Sequence, residues 1–316
     1  MFEKRGDNQT THLENLLKKR EKTLSAISTL AFPALPPTVR TVLALCGSIN
    51  SDAPEISRVI QYDFGMTLNV LRTINSAFYS ADKTPVVSVL HAIVLLGMDV
   101  LAQTVLEMPR AKIDEFRIGP KRIPPPWIVL SSRKVFAAHL SIAFARYTDM
   151  DLEVVFYQAL FRDLGEVILS FINQEGYNKF SQFFLRRRNR DLASREAFGL
   201  TFDELTKHLV TKWNLPKKLM DVVYLRRNVG RPTGHRRRTP QLIAHLANEL
   251  VEGAGTPGLK GLRLQEDARK KLKDVCGISE RMVSTLVRQE LKELERNSSI
   301  YYETLKVTHF LDNLLI

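Results

Sequence analysis

The chain has 316 residues, of which 44% are hydrophobic and 25% are charged, a balance that excludes a disordered chain and allows one large domain or two smaller ones. The formal net charge is +12, which favours anionic partners without identifying one. The start MFEKRGDNQT is polar, and no later apolar run is seen to approach the ~20 residues of a membrane span, so we expect a cytoplasmic protein without a membrane span.

Helical spacing of apolar residues recurs along the chain, whereas the alternation typical of strands is hard to find. Residues 1–30 are predicted to form an N-terminal amphipathic helix that the prolines of FPALPP, at 32–37, bring to an end. Further apolar stripes are Met66, Val70 and Ile74; Val89, Ile93, Leu96 and Val100; Leu152, Val155, Phe156 and Ala159; and Val283, Val287, Leu291 and Leu294. The predicted fold class is all-α.

Two breaks predict the domain organisation. The four prolines within GPKRIPPP, residues 119–126, divide a first helical lobe at about 31–118 from a second at about 127–227. The stretch NVGRPTGHRRRTP at 228–240 combines glycine, proline and arginine and is predicted to be an exposed basic loop. An additional C-terminal helical segment is then expected over 241–316.

Three stretches carry a resemblance to a known family. The first, at 32–108, contains FPALPPTV, ISRVIQYDFGMTLNVLRTINSAFYS and VVSVLHAIVLLGMDVL; the second, at 127–169, contains FYQALFRDLGEVIL; the third, GLTFDELTKHLVTKWNLP, is 199–216. Together they resemble the bacterial HDOD family, which is related to the HD-superfamily phosphohydrolases. The resemblance implies a multi-helix bundle in two lobes, with a role in regulation.

Several matching residues are expected to serve packing. Asn75 is suited to hydrogen bonds at a helix end, and Phe78 and Tyr79 stand at helical spacing typical of a core. Gly97 is expected to let two helices approach closely. These residues are therefore interpreted as architectural.

The resemblance also locates the pair that would hold metal. HD-superfamily hydrolases use an adjacent His-Asp pair, since neutral imidazole and carboxylate bind a metal that activates water. The matching pair here is Arg162-Asp163. Arginine stays protonated and offers only donors, so Arg162 cannot replace the histidine ligand. For Asp163, a structural or capping role and a remnant ligand-binding role both remain open.

Other expected ligands are also missing. His139 is the nearest candidate for a first ligand, although a helix histidine hydrogen-bonded to backbone or solvent is the preferred interpretation. Phe202, and the pair Arg226-Arg227, stand where some related proteins carry histidine. The sequence therefore predicts no metal, no cofactor and no catalytic residue, with Arg162, Asp163 and His139 as a remnant pocket.

Two arginine-rich runs are candidates for binding an anion, because guanidinium groups hold phosphate oxygens in a fork. The alternative is a solvated surface run. The candidates are Arg186, Arg187 and Arg188, followed by Arg226, Arg227, Arg236, Arg237 and Arg238; the runs also include Arg190 and Arg231.

The C-terminal stretch ISERMVSTLVRQELKEL, 278–294, superficially resembles the second helix of a helix-turn-helix, with Ser279 as its cap. Its predicted outward face mixes Arg281 and Arg288 with Glu290 and Glu293, which fits a phosphate backbone poorly. We interpret it as a packing helix.

The predicted function is that of a non-catalytic regulatory protein in signal transduction, with a separate signalling protein as its expected partner. Two alternatives remain open. The first is a binding protein for an anionic ligand such as a nucleotide or nucleic acid, and the second is a metal-dependent phosphohydrolase.

Overall fold

The computed structural model describes residues 3–28, 30–76, 85–112, 124–221 and 239–314. Within these ranges the regular structure is helical, and the only β contact is an isolated bridge between Ala34 and Arg110. The all-α prediction is confirmed. Phe78, Tyr79 and the predicted anion-binding arginines at 226, 227 and 236–238 lie outside the described residues, as does most of the predicted basic loop.

The helices are numbered here in chain order. They are α1 Glu3–Ser28, α2 Pro36–Cys46, α3 Ala53–Gln61, α4 Phe64–Ile74, α5 Val89–Leu96, α6 Met98–Glu107, α7 Pro126–Ala145, α8 Leu152–Phe161, α9 Leu164–Ile172, α10 Gln174–Arg187, α11 Arg190–Phe198, α12 Phe202–Lys212, α13 Pro240–Ala254, α14 Leu259–Cys276, α15 Glu280–Asn297, α16 Ser299–Val307 and α17 Phe310–Leu314. A short 3-10 helix, Lys217–Met220, follows α12.

Contacts divide the chain into two compact units that do not coincide with the predicted lobes. One unit comprises Met1–Ala31 and Asp163–Leu209, and the other comprises Phe32–Arg162 and Val210–Ile316. The division differs because α1 packs on α11 of the first unit and the C-terminal helices pack on α7 and α8 of the second. The two units are thus defined by packing between segments that are distant in sequence.

In the first unit, α1 is held at the turn after α11. Thr23 Oγ1 donates to the carbonyl oxygen of Phe198 at 3.1 Å. Gly199 has a φ of +77°, and a Cβ there would lie 2.3 Å from the carbonyl oxygen of Leu16. Only glycine therefore allows this close approach. The predicted apolar face of α1 is only partly buried, since Leu13 and Leu17 are 58% and 49% exposed.

In the second unit, α7 and α8 form a central pair that packs against α13, while α15 and α16 also cover α7. Aromatic rings fill the core beside them: the ring centroids of Phe64 and Trp127 each lie 5.5 Å from that of Phe32, in edge-to-face contact. Nearly every residue of α8 from Val155 onward is buried. This packing holds Lys134, His139 and Arg162 in buried positions.

Helix α7 corrects one sequence expectation. It is long and apolar enough to cross a membrane by length and composition, contrary to the view that no run approaches that length. Most of it is buried among its neighbours, however, which is the environment of a core helix.

Gly97 also behaves differently from expectation. It has a φ of +77° and no heavy atom within 4 Å of an added Cβ, so it allows no close helix approach. Instead it separates α5 from α6, whose axes differ by 111°. The stripe from Val89 to Val100 is therefore split between two helices, and Val100 is 36% exposed.

Asn75 has the expected architectural role at the end of α4. Its Nδ2 donates to the carbonyl oxygens of Leu71 and Val86, at 2.9 and 2.8 Å. Its Oδ1 accepts from the backbone N–H of Val86 at 2.7 Å. The buried amide thereby fixes the chain that leads into α5.

Candidate functional site

The candidate site is the position of the Arg162-Asp163 pair, at the junction of α8 and α9. Asp151 caps α8 by accepting from the backbone N–H groups of Glu153 and Val154, at 3.0 and 3.2 Å. The helix ends at Phe161, and Asp163 holds the N-cap position of α9 without making a capping hydrogen bond. A capping hydrogen bond is therefore not part of the role of Asp163, and the choice between a structural role and a remnant ligand-binding role stays open. Arg162 belongs to the second compact unit and Asp163 to the first.

Arg162 lies in the core of the second unit, with 3% of its surface exposed. Its Nη1 is 3.5 Å from Glu252 Oε1, on α13. The ammonium of Lys134, on α7, lies 3.5 Å from the same carboxylate oxygen. Two buried cations therefore share one carboxylate whose side chain is 36% exposed.

Asn248 is a further hydrogen-bond partner of Lys134. Lys134 Nζ donates to Asn248 Oδ1 at 2.7 Å. The Nδ2 of Asn248 donates to the carbonyl oxygens of Ala159 and Ala244, at 3.0 and 2.9 Å. The amide thus fixes α13 against α8 and orients the lysine toward Glu252.

A second carboxylate on α13 extends this cluster. His245 Nε2 is 3.2 Å from Glu249 Oε1, and Lys271 Nζ is 3.9 Å from Glu249 Oε2. Burial alone would raise the pKa of Glu249, but the close contact with His245 and the charges of Lys271 and Arg162 together lower it. Glu249 is therefore held as a carboxylate.

Asp163 is engaged in the first unit. It is 3% exposed, and its Oδ1 accepts from Arg190 Nη2 at 3.1 Å. The same nitrogen contacts Glu166 Oε2, while Tyr177 donates to Glu166 Oε1 at 2.9 Å. The Arg190 guanidinium also lies 4.7 Å from the ring centroid of Phe202. Arg190 therefore serves an internal ion-pair network, unlike its neighbours in the arginine run.

His139 sits in a different environment within the second unit. Its ring stacks on that of Tyr62 at a centroid distance of 3.9 Å and meets Phe156 edge-on at 5.1 Å. Burial lowers the pKa of His139 to about 4, although a hydrogen bond with the backbone of Gln61 opposes the shift. The structure thus gives the three remnant-pocket candidates separate sets of partners.

The residues at the Arg162-Asp163 position do not fit a divalent metal. Across the described ranges, no three His, Cys, Asp or Glu side chains are grouped so that they could hold one. A guanidinium and an ammonium share Glu252, and Asp163 is paired with Arg190. Cations here offer donors rather than lone pairs, so the donor chemistry is the opposite of what a metal requires.

Of the arginines predicted to bind an anion, those within the described residues lie at the end of α10. Arg186 and Arg187 occupy its last turn, and Arg188 follows with a φ of +54°. All three are exposed. Their position at a helix C-terminus also lets them interact with the carbonyl end of the helix dipole.

Helix α15 packs as predicted, with one correction. Ser279 Oγ accepts from the backbone N–H of Met282 at 3.2 Å, and the predicted apolar stripe is buried. Arg281 and Arg288 are exposed, whereas Glu290 and Glu293 are half-buried and line a cavity. The assignment of faces by helical period did not take account of α7, which packs on α15 and lines the same cavity.

Sequence reasoning missed the partners that define the site. Lys134, Asn248 and Glu252 had no recognisable motif, because they meet only when α13 packs on α7 and α8. One local signal was present: His245 and Glu249 are four residues apart, a spacing that places side chains on one helix face.

Comparison with protein families matches residues 32–229 to the HDOD domain. Comparison with curated proteins gave no significant match. Among solved structures, the MmoQ response regulator of Methylococcus capsulatus str. Bath is 24% identical, with a TM-score of 0.56, covering 83% of this chain and 99% of its own. A virulence factor of Campylobacter jejuni subsp. jejuni is 19% identical, with a TM-score of 0.59, covering 88% and 99%. These likenesses show the shared fold.

Proposed function

This chain belongs to the HDOD domain family, and we propose that it is a non-catalytic regulatory protein, which acts in signalling by binding a partner rather than by hydrolysing phosphate esters. The MmoQ protein, which has the same fold, is described as a response regulator. The proposed partner of this chain is a separate signalling protein in a bacterial cytoplasm.

One observation carries the proposal: the guanidinium of Arg162 is buried and shares Glu252 with Lys134. A metal ion placed beside these groups would meet two fixed positive charges, and like charges in a poorly solvated site repel strongly. Asp163 is likewise neutralised, through Arg190. The groups that would activate water are thus replaced by internal ion pairs.

The experiment is a hydrolysis assay on the full chain with bis(p-nitrophenyl) phosphate and p-nitrophenyl phosphate, with Mn²⁺, Fe²⁺ or Zn²⁺ added. We expect the rates of the wild type and of Asp163→Asn to equal the rate of metal in buffer. A rate well above that background, reduced in Asp163→Asn but not in the surface control Asp312→Asn, would contradict the proposal. Asp312 is a suitable control because its side chain is 74% exposed.

A second candidate function, binding of an anionic ligand, is favoured by the exposed Arg186, Arg187 and Arg188. Guanidinium groups in one short segment can hold several phosphate oxygens. A salt series of duplex DNA binding tests this: each phosphate contact adds about 0.9 to the logarithmic slope, so replacing all three with Ser should flatten it. An unchanged slope would refute a role for these residues.

A further inference from the structure

A cavity of about 740 Å³ opens in the second unit, away from the ion pairs of Arg162. Its walls come from α3, α7, the starts of α5 and α8, and α15. Helix α15 lies beyond residue 229, where the family match ends. The cavity therefore combines the HDOD domain with the segment that follows it, and its volume is within the range of small-molecule sites.

His139 lies under the floor of the cavity. The residue is only 9% exposed, and its Nε2 is fully buried without a hydrogen-bond partner among the described residues, so this atom is not offered to the cavity. Burial lowers the pKa of His139 to about 4, so the ring stays neutral and adds no positive charge to the floor.

A carboxylate on α15 faces the same cavity and, among the described residues, has no hydrogen-bond donor. Glu290 is half-buried and lines the cavity. Within the part of the chain that the structure describes, it forms neither a hydrogen bond nor an ion pair. Glu293, one turn later, is occupied by Arg296 at 2.7 Å. Burial, reinforced by the charge of Glu293, raises the pKa of Glu290 to about 7 although Arg146 opposes the shift.

The positive charges stand at the exposed rim. Arg58 and Arg146 are both exposed, and Glu153 is the exposed acid on the same rim. Burial raises the pKa of the Tyr62 hydroxyl, the charges of Glu290 and Glu293 raise it further, and Arg58 and Arg146 lower it. The charges of these two glutamates and two arginines therefore all act on Tyr62. The interior offers acceptors, and the rim offers cations.

We propose that this cavity binds a small zwitterionic molecule of amino-acid or short-peptide size, whose ammonium group donates to Glu290 and whose anionic group faces Arg58 and Arg146. A metal ion is a poorer fit, because no three His, Cys, Asp or Glu side chains in the described ranges are grouped to hold one. An organic ammonium group brings the N–H donors that Glu290 lacks.

The test uses thermal-shift measurements and isothermal titration calorimetry on the full chain. The probes are the standard L-amino acids and a set of dipeptides at millimolar concentration, with each hit repeated as its N-acetyl and C-amide forms. We expect at least one zwitterion to bind. Acetylation, which removes the cation, should weaken binding about tenfold or more, since charge-assisted hydrogen bonds are the stronger class.

Two substitutions test whether the ligand binds at Glu290. Glu290→Gln should weaken binding about tenfold or more, whereas the control Glu295→Gln, at an exposed position of the same helix outside the cavity, should leave it unchanged. Circular dichroism verifies that both remain folded. The inference fails if no zwitterion binds, or if acetylation or Glu290→Gln leaves affinity intact. It does not depend on the absence of catalysis, so its failure would leave the proposed function standing.

Discussion

The substitution Glu252→Gln should destabilise the second unit by more than an ordinary surface charge change. It keeps the shape of the side chain but removes the negative charge that Arg162 and Lys134 share, at 3.5 Å each. The arginine and lysine side chains are only 2% and 5% exposed. Two buried cations would then remain with less compensation, and uncompensated buried charge is costly.

The magnitude follows from the burial of the three groups. Removing one partner of a buried ion pair costs about 3–5 kcal/mol. Because the Glu252 side chain is 36% exposed, water already screens part of the interaction, and we reduce the expectation to about 2–3 kcal/mol. For a large domain this corresponds to a fall in Tm of about 4–12 °C.

The assay is urea unfolding followed by tryptophan fluorescence. Both tryptophans of the chain, Trp127 and Trp213, belong to the second unit and report on it directly. The control is Glu303→Gln, which removes the exposed partner of Lys306 and should cost about 0–1 kcal/mol. Equal losses for the two variants would refute the idea that Glu252 neutralises buried cations.

The remaining predictions concern packing, pH and the ion pair of Asp163. Gly65→Ala should cost about 2–3 kcal/mol or more in urea unfolding, because its Cβ would lie 2.0 Å from the carbonyl oxygen of Pro33; Gly47→Ala, whose nearest contact is 3.7 Å, should cost little, and similar losses would refute the steric account. Burial raises the pKa of Glu290 to about 7 in the folded chain, so the folded state binds this proton more tightly and the wild type loses stability as pH rises from about 4.5 to 7. With allowance for solvent screening, Glu290→Gln should therefore be more stable than the wild type by about 1–2 kcal/mol at pH ~8 and equally stable near pH ~4. A variant less stable than the wild type at pH ~8 would contradict this expectation. Arg146 after α7 and Glu293 on the same helix are the charges that act on Glu290, while Arg58 on α3 and Glu153 on α8 line the same cavity together with His139 and Tyr62. Asp163→Asn should cost about 1–2 kcal/mol, because Glu166 still holds Arg190, and a loss matching complete unfolding would contradict that shared role.

The fold class and many buried positions were predictable because apolar spacing reports which face of a helix is covered. Val283, Val287, Leu291 and Leu294 are buried as their period predicts. The same reasoning failed at Gly97, where a positive φ redirects the chain, because the apolar spacing runs on to Val100 and does not show where one helix ends and the next begins.

The candidate site was predictable only in part. Arg162-Asp163 was located through its resemblance to a known pair, and its departure from histidine was visible in the residue itself. Glu252 and Arg190, which neutralise the pair, lie 90 and 27 positions away from their partners and meet them only in three dimensions. Charged residues that pair between helices follow no regular spacing in the sequence, so only the structure identifies such pairs.

We propose that internal cations, rather than a metal ion, neutralise the carboxylates near the Arg162-Asp163 pair, and this is the premise of a non-catalytic role. Its most direct test is the metal content of the purified full chain, expressed with Mn²⁺, Fe²⁺ and Zn²⁺ in the medium and desalted without chelator, measured by inductively coupled plasma mass spectrometry. We predict far less than one transition metal per chain, with the same value in Asp163→Asn. About one metal per chain in the wild type, lost in Asp163→Asn and kept in Asp312→Asn, would contradict the claim.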